Sequence, residues 1–232
     1  MDEIKPGTLL SVLQLADSFF PSGIYAHSHG LEGLVNRGMI RTSEDVADFL
    51  ENQFIYSVMP TDGVALLEAY RAAELADLNQ IISIDQLLIV MKPSSEFRTA
   101  STQLGYRLLV ETKTWDTNML RDQYSRMVNV NTAPGNGSVV LGVVGRALNM
   151  GVRTALAVCA HSHATSILGA AMRLLPFSHT DAQLTLRRLN PLLEHLTAQI
   201  YGMRWVDMQA FTPELDLVSM AHETDELRLF AS

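Results

Sequence analysis

Arg153-Thr-Ala-Leu-Ala-Val-Cys-Ala-His-Ser-His-Ala-Thr-Ser-Ile-Leu-Gly-Ala-Ala-Met-Arg-Leu-Leu175 decides the fold. No side chain between Arg153 and Arg173 carries a permanent charge, so by length the segment could cross a bilayer. His161, Ser162, His163, Thr165 and Ser166 stand in its middle, where a membrane makes polar groups costly, and it reads instead as a buried helix. Upstream, Val139–Met150 has the same wealth of Gly, Ala, Ser and Val, small side chains that let helices approach closely. The two segments are expected at the centre of a helical bundle.

Outward from that centre, helical signals dominate and strand signals are scarce. Thr42-Ser43-Glu44-Asp45 caps a segment with Val46, Phe49, Leu50, Phe54 and Val58 at three-to-four spacing, which Pro60 should close. Pro60-Thr61-Asp62 then starts another, Asp77 and Ser94-Ser95-Glu96 open two more, and Thr180-Asp181 precedes the run Leu184, Leu189, Leu192, Leu196. Asn129–Ser138 is the one conspicuous loop, rich in turn formers, and reads as a mobile connection. The expectation is an all-α, single-domain bundle over 1–232 with roughly eight to ten helices.

The chain has 232 residues, 47% of them hydrophobic, enough for a substantial core. Its 17 basic and 25 acidic side chains give a net charge of -8 without a basic stripe, which argues against nucleic acid. The single cysteine, Cys159, excludes an intrachain disulfide and any Cys-x-x-Cys site, and Met1–Pro6 lacks the basic start and apolar run of a signal peptide. A cytoplasmic protein away from membranes is expected.

Tests for chemistry return little. Of the two triplets, His27-Ser28-His29 and His161-Ser162-His163, neither alone can set both rings on one ion, because helical residues two apart point about 200° from each other. One ring from each triplet can still meet another, but polar histidines with hydrogen-bond partners inside the bundle are the preferred reading. His222-Glu223 begins like the zinc-protease motif His-Glu-x-x-His, but Glu226 replaces the second His. No phosphate-binding loop occurs, and Cys159 in its apolar segment reads as an inert core thiol. No catalytic set, cofactor or metal-ligand set is assigned. The terminus Met220–Ser232 joins a polar cluster to Arg228-Leu229-Phe230. It either docks on a second surface or folds back on the body, since solvated Leu and Phe would leave about 1.5–3 kcal/mol of burial energy each unused.

Four blocks, in order and nearly end to end, resemble the UreF family of urease accessory proteins. The first is Leu13–Gly23 followed by Tyr25-Ala26-His27-Ser28-His29-Gly30-Leu31-Glu32; the second is Glu96-Phe97-Arg98 with Ser101, Gln103, Leu104 and Gly105. The third is Ala170–Pro176 with Thr180-Asp181-Ala182-Gln183, and the fourth is Ser219–Thr224 with Arg228–Ser232. Ile24 and Phe177-Ser178 depart from the family's usual small residue and Leu-Gly, which bears on local turns only.

The resemblance implies an all-α, non-catalytic chaperone that forms a homodimer and binds UreD (UreH in some organisms). It helps recruit the GTPase UreG, so that nickel is inserted into the urease apoprotein, with modulation of GTP hydrolysis a further family proposal. The alternative reading is a metallochaperone holding nickel on its own histidines. Carried over, Tyr25, His27, Ser28 and Glu32 after the first turn, and His222, Glu223, Arg228, Leu229 and Phe230 in a docking tail at about 211–232, are candidate partner-binding residues. Pro21 and Gly23 shape a turn. Glu96 and Arg98 pair apart from one another, Arg173 closes a buried hydrogen-bonded pair, and Asp181 and Gln183 cap or join that network. The resemblance tips the terminus towards docking.

Overall fold

The computed structural model describes residues 5–17, 19–21, 27–222 and 229–230. Gly23, Ile24, Tyr25, Glu223 and Arg228 lie outside the described residues.

α3 (Ser43–Gln53) starts where the sequence places it: Asp45 N donates to Thr42 Oγ1 at 3.1 Å, and Thr42 N donates to Asp45 Oδ2 at 2.9 Å. Pro60 does not end it. The chain widens into a π-helix, Phe54–Gly63, and continues unbroken into α4 (Val64–Glu74), so Pro60-Thr61-Asp62 starts no new helix. Pro60 has no N–H for the Tyr56 carbonyl one α-turn before it, and Phe211 N donates to that oxygen at 2.8 Å. Gln209 N donates to the Pro60 carbonyl at 3.3 Å, which stitches the 208–212 segment along the π-helix. Arg188 ties the same rod to a later helix through Glu44, Asp48 and Glu51, each at 2.7 Å.

α5 (Leu78–Val90) is capped by Asp77 and α6 (Ser95–Glu111) by Ser94, as their polar starts suggest. α7 (Met119–Asn129) leads into the Asn129–Ser138 loop, which is fixed in place, contrary to expectation. Asp85, fully buried on α5, accepts from Gly135 N, Asn136 N, Asn136 Nδ2 and Tyr124 Oη at 2.7–2.9 Å. Gly105 on α6 touches this loop: a Cβ there would stand 2.0 Å from the Gly135 carbonyl oxygen.

α8 (Gly137–Ala147) is buried along almost its whole length and lies against α4 and α6. Its Gly142 permits the close approach, since a Cβ would fall 2.5 Å from Leu66 O and 3.1 Å from Tyr70 N. α9 (Val152–Leu174) passes α8, α1 (Pro6–Ala16) and α2 (Leu31–Asn36). By length and composition α9 could span a bilayer, and 56% of its most apolar window is buried inside the bundle.

α10 (His179–Ile200) begins at Ser178, two residues before the expected cap, and Asp181 forms a reciprocal box with it. Gln183 is exposed on that helix. α11 (Pro213–His222) returns to α2. Counting α3, the π-helix and α4 as one rod, ten helical rods and no strand occur among the described residues, an all-α architecture. One apolar cluster runs from Leu15 to Phe230.

Candidate functional site

The first candidate is built where the chain end meets α2. Glu32 is buried, and its two carboxylate oxygens receive the terminus: Leu229 N donates to Oε1 at 2.7 Å and Phe230 N to Oε2 at 3.0 Å. His222, 1% exposed, inserts between two carboxylates, with Nε2 at 3.1 Å from Glu32 Oε2 and Nδ1 at 3.2 Å from Glu96 Oε2. Charge-assisted bonds to a desolvated carboxylate are the strong kind, so this is a seat with directional grip. Phe230 is 4% exposed, its ring 4.4 Å beneath the Arg173 guanidinium, whereas Leu229 is 59% exposed.

That geometry revises several expectations. His222, Glu32 and Phe230 are turned into the chain itself instead of being presented to a partner, because the body offers them a carboxylate and an apolar shelf. Arg173 closes no buried pair: it is exposed at the end of α9, makes no ion pair among the described residues, and spends its charge on the Phe230 ring. Glu96 and Arg98 do part company, Glu96 to His222 and Arg98 Nη1 to the Lys92 and Pro93 carbonyls at 2.8 and 2.7 Å. Ser28 Oγ accepts Glu32 N at 3.3 Å, the local capping role, and His27 is buried with its carbonyl near Ser166 Oγ. Pro21 is exposed.

The second candidate is a cavity of about 170 Å³ bounded by α1, the π-helix, α6, α8 and α9. One ring from each triplet meets there, which the spacing within either triplet does not reveal: His29 and His163 lie 4.6 Å apart, centroid to centroid, while His161 is exposed. Gln53 Nε2 donates to the His29 carbonyl at 3.1 Å, which turns its Oε1 to accept from His163 Nε2 at 2.7 Å. Burial drives His163 down to about 4, and burial with neighbouring His163, His27 and Lys92 drives His29 well below its ordinary value, so both rings are neutral at pH 7. Among the described residues, His29 Nε2 is buried without a partner.

Beside the rings sits an ion pair that the sequence did not single out. Lys92 Nζ reaches Asp62 Oδ2 at 2.7 Å, and Ser138 Oγ donates to Asp62 Oδ1 at 2.6 Å. Burial works to raise the Asp62 carboxyl, but Lys92 and these hydrogen bonds outweigh it and hold it below its usual value. Cys159 lines the same space with its thiol pushed up to about 12, mainly by burial, so it stays protonated. Lys92 following the apolar run of α5 is the only available signal for this pair, and a lone Lys before a Pro is a weak one. Among the described residues no three His, Cys, Asp or Glu side chains are grouped to hold a metal ion.

Comparison with known proteins agrees with the four sequence blocks. The sequence model of UreF matches residues 40–190. The chain is 32% identical over 228 residues to the urease accessory protein UreF of Trichodesmium erythraeum, covering 96% of each chain. It is 29% identical to that of Nostoc sp. (96% of this chain, 95% of the relative) and 26% identical, over the full length of both, to that of Corynebacterium efficiens. With the helical architecture and a family match across most of its length, the chain belongs to the UreF family of urease accessory proteins, and its role lies in urease maturation.

Proposed function

We propose that this chain is a non-catalytic cytoplasmic adaptor that binds UreD (UreH) and recruits the GTPase UreG, so that nickel enters the urease apoprotein. One observation carries the reading: α1 and α2 pack on α9 and α11 on α2, and α1, α11 and the segments beside them leave large apolar side chains in solvent. Leu10, Leu13 and Phe19 lie at the N-terminal end, and Leu217, Met220 and Leu229 at the C-terminal end. Exposed apolar groups in this number suit burial by partners, including a second copy of the chain, better than permanent hydration. Of the two described residues after His222, Leu229 is exposed for contact while Phe230 is committed to its seat.

The test is co-purification with UreD. Leu229→Asp should reduce capture with the melting temperature unchanged; full capture by Leu229→Asp and by a chain ending at His222 would remove the tail from the interface.

The adjacency of His29 and His163 favours a second reading, in which the chain itself holds nickel. Calorimetry with Ni²⁺ on the isolated protein separates the two: stoichiometric binding lost in His29→Phe and His163→Gln supports direct carriage, and no heat of binding supports the adaptor.

A further inference from the structure

We propose that the cavity beside His29 is a binding site for a small uncharged molecule with an apolar body and a single hydroxyl group, phenol being the simplest case. The hydroxyl bonds to His29 Nε2 and the body lies against the apolar walls.

Water alone fits poorly. A space of about 170 Å³ would admit on the order of a dozen waters, each wanting two to four polar partners, whereas its wall is mainly apolar, with Leu15, Phe20, Val58, Leu88, Phe97 and Leu141 beside polar groups such as Ser57 and Thr61. Engineered apolar cavities of about 150 Å³ stay dry and take benzene, so an aromatic ring is of the right size. Negative charge is selected against. An anion would enter without a counter-ion, since Lys92 is already paired with Asp62 at 2.7 Å and the other charged side chains of the lining, Asp17 and Asp216, are acidic.

The polar end of the ligand is specified by what remains unpaired. Gln53 occupies His163 Nε2 and holds that ring in one tautomer, which leaves His29 Nε2, among the described residues, as the buried ring nitrogen without a partner. A hydroxyl both donates and accepts, so it satisfies either tautomer of His29; an ammonium group only donates and a carbonyl only accepts, so each matches one. Among the described residues no three His, Cys, Asp or Glu side chains are grouped for a metal ion, and the nearby thiol is protonated, which leaves too few donors for a site.

Calorimetry and thermal shift on the full chain test this with phenol, toluene and Ni²⁺ as separate probes. Phenol should bind about tenfold more tightly than toluene, the difference expected of one neutral hydrogen bond in a buried site. His29→Phe should abolish that preference and keep toluene binding. Filling the space with Val158→Phe, or with the milder Ala100→Leu if the first does not fold, should abolish both. Equal affinity for phenol and toluene in the natural chain overturns the proposal, as does binding of neither, which leaves water as the occupant. Nickel uptake removed by His29→Phe without any response to phenol overturns it in favour of a metal.

Discussion

Phe230 and Leu229 are neighbours with opposite work. Phe230 is buried under Arg173, so Phe230→Ala should cost about 3 kcal/mol in urea denaturation, near the lower end for aromatic truncation in a core. Leu229→Asp, at an exposed position, should change stability by less than about 0.5 kcal/mol. A similar loss from both would mean that the seat on Glu32 is not occupied in solution. His163 has a pH signature. Its folded value is about 4 against 6.5 in the unfolded chain, so between those values the unfolded chain binds a proton that the folded chain refuses. Stability therefore rises with pH across that window and is lost as pH falls from 6.5 towards 4, by roughly 3 kcal/mol. His29 acts in the same direction, and Asp62, held low, adds its own loss only in stronger acid. His163→Gln keeps a donor for Gln53 and should flatten the slope, read from denaturation midpoints at pH 4.5 to 7. The tail's composition told of a seat without telling on which body, since Glu32 and His222 meet only through tertiary contact. That one ring of each triplet meets the other was open from the sequence; that His29 and His163 are the two is settled by tertiary contact.

Among elements, caps were the most legible part. Thr42, Asp77 and Ser94 do what short polar side chains do at helix starts, because that chemistry is local. Non-local effects overrode sequence signals elsewhere. Pro60 looks like a stop because its missing N–H and ring break an α-turn, yet a wider turn and donors from the 208–212 segment accommodate it. The turn-rich loop after α7 looks mobile because its residues favour turns, yet Asp85 on α5 ties it down. Gly105 tests that anchorage. Gly105→Ala forces a methyl against the Gly135 carbonyl and should destabilise the protein by about 2 kcal/mol or more, with faster amide exchange at Gly135 and Asn136.

Across the whole molecule, the chain end closes the fold. Cutting after His222 strips Glu32 of two donors and Arg173 of its ring, leaving a desolvated carboxylate short of partners. The shortened chain should melt about 5 °C lower or more, measured by calorimetry. A binding defect in that chain would mix lost contact with lost stability, which is why Leu229→Asp is the cleaner probe. The all-α class was readable from periodicity and from two segments of small residues, both properties of sequence order.

The π-helix between α3 and α4 has a consequence of phase. Each residue gained or lost within a helix turns everything beyond it by about 100° around the axis. The number of residues in Phe54–Gly63 therefore sets which strip of α4 faces α8, and the fit of Leu66 and Tyr70 to Gly142 depends on that count. Side chains on the outer face of the stretch can vary freely, but its length cannot: removing one residue would relax the wide turn and swing α4 out of alignment with the centre of the bundle.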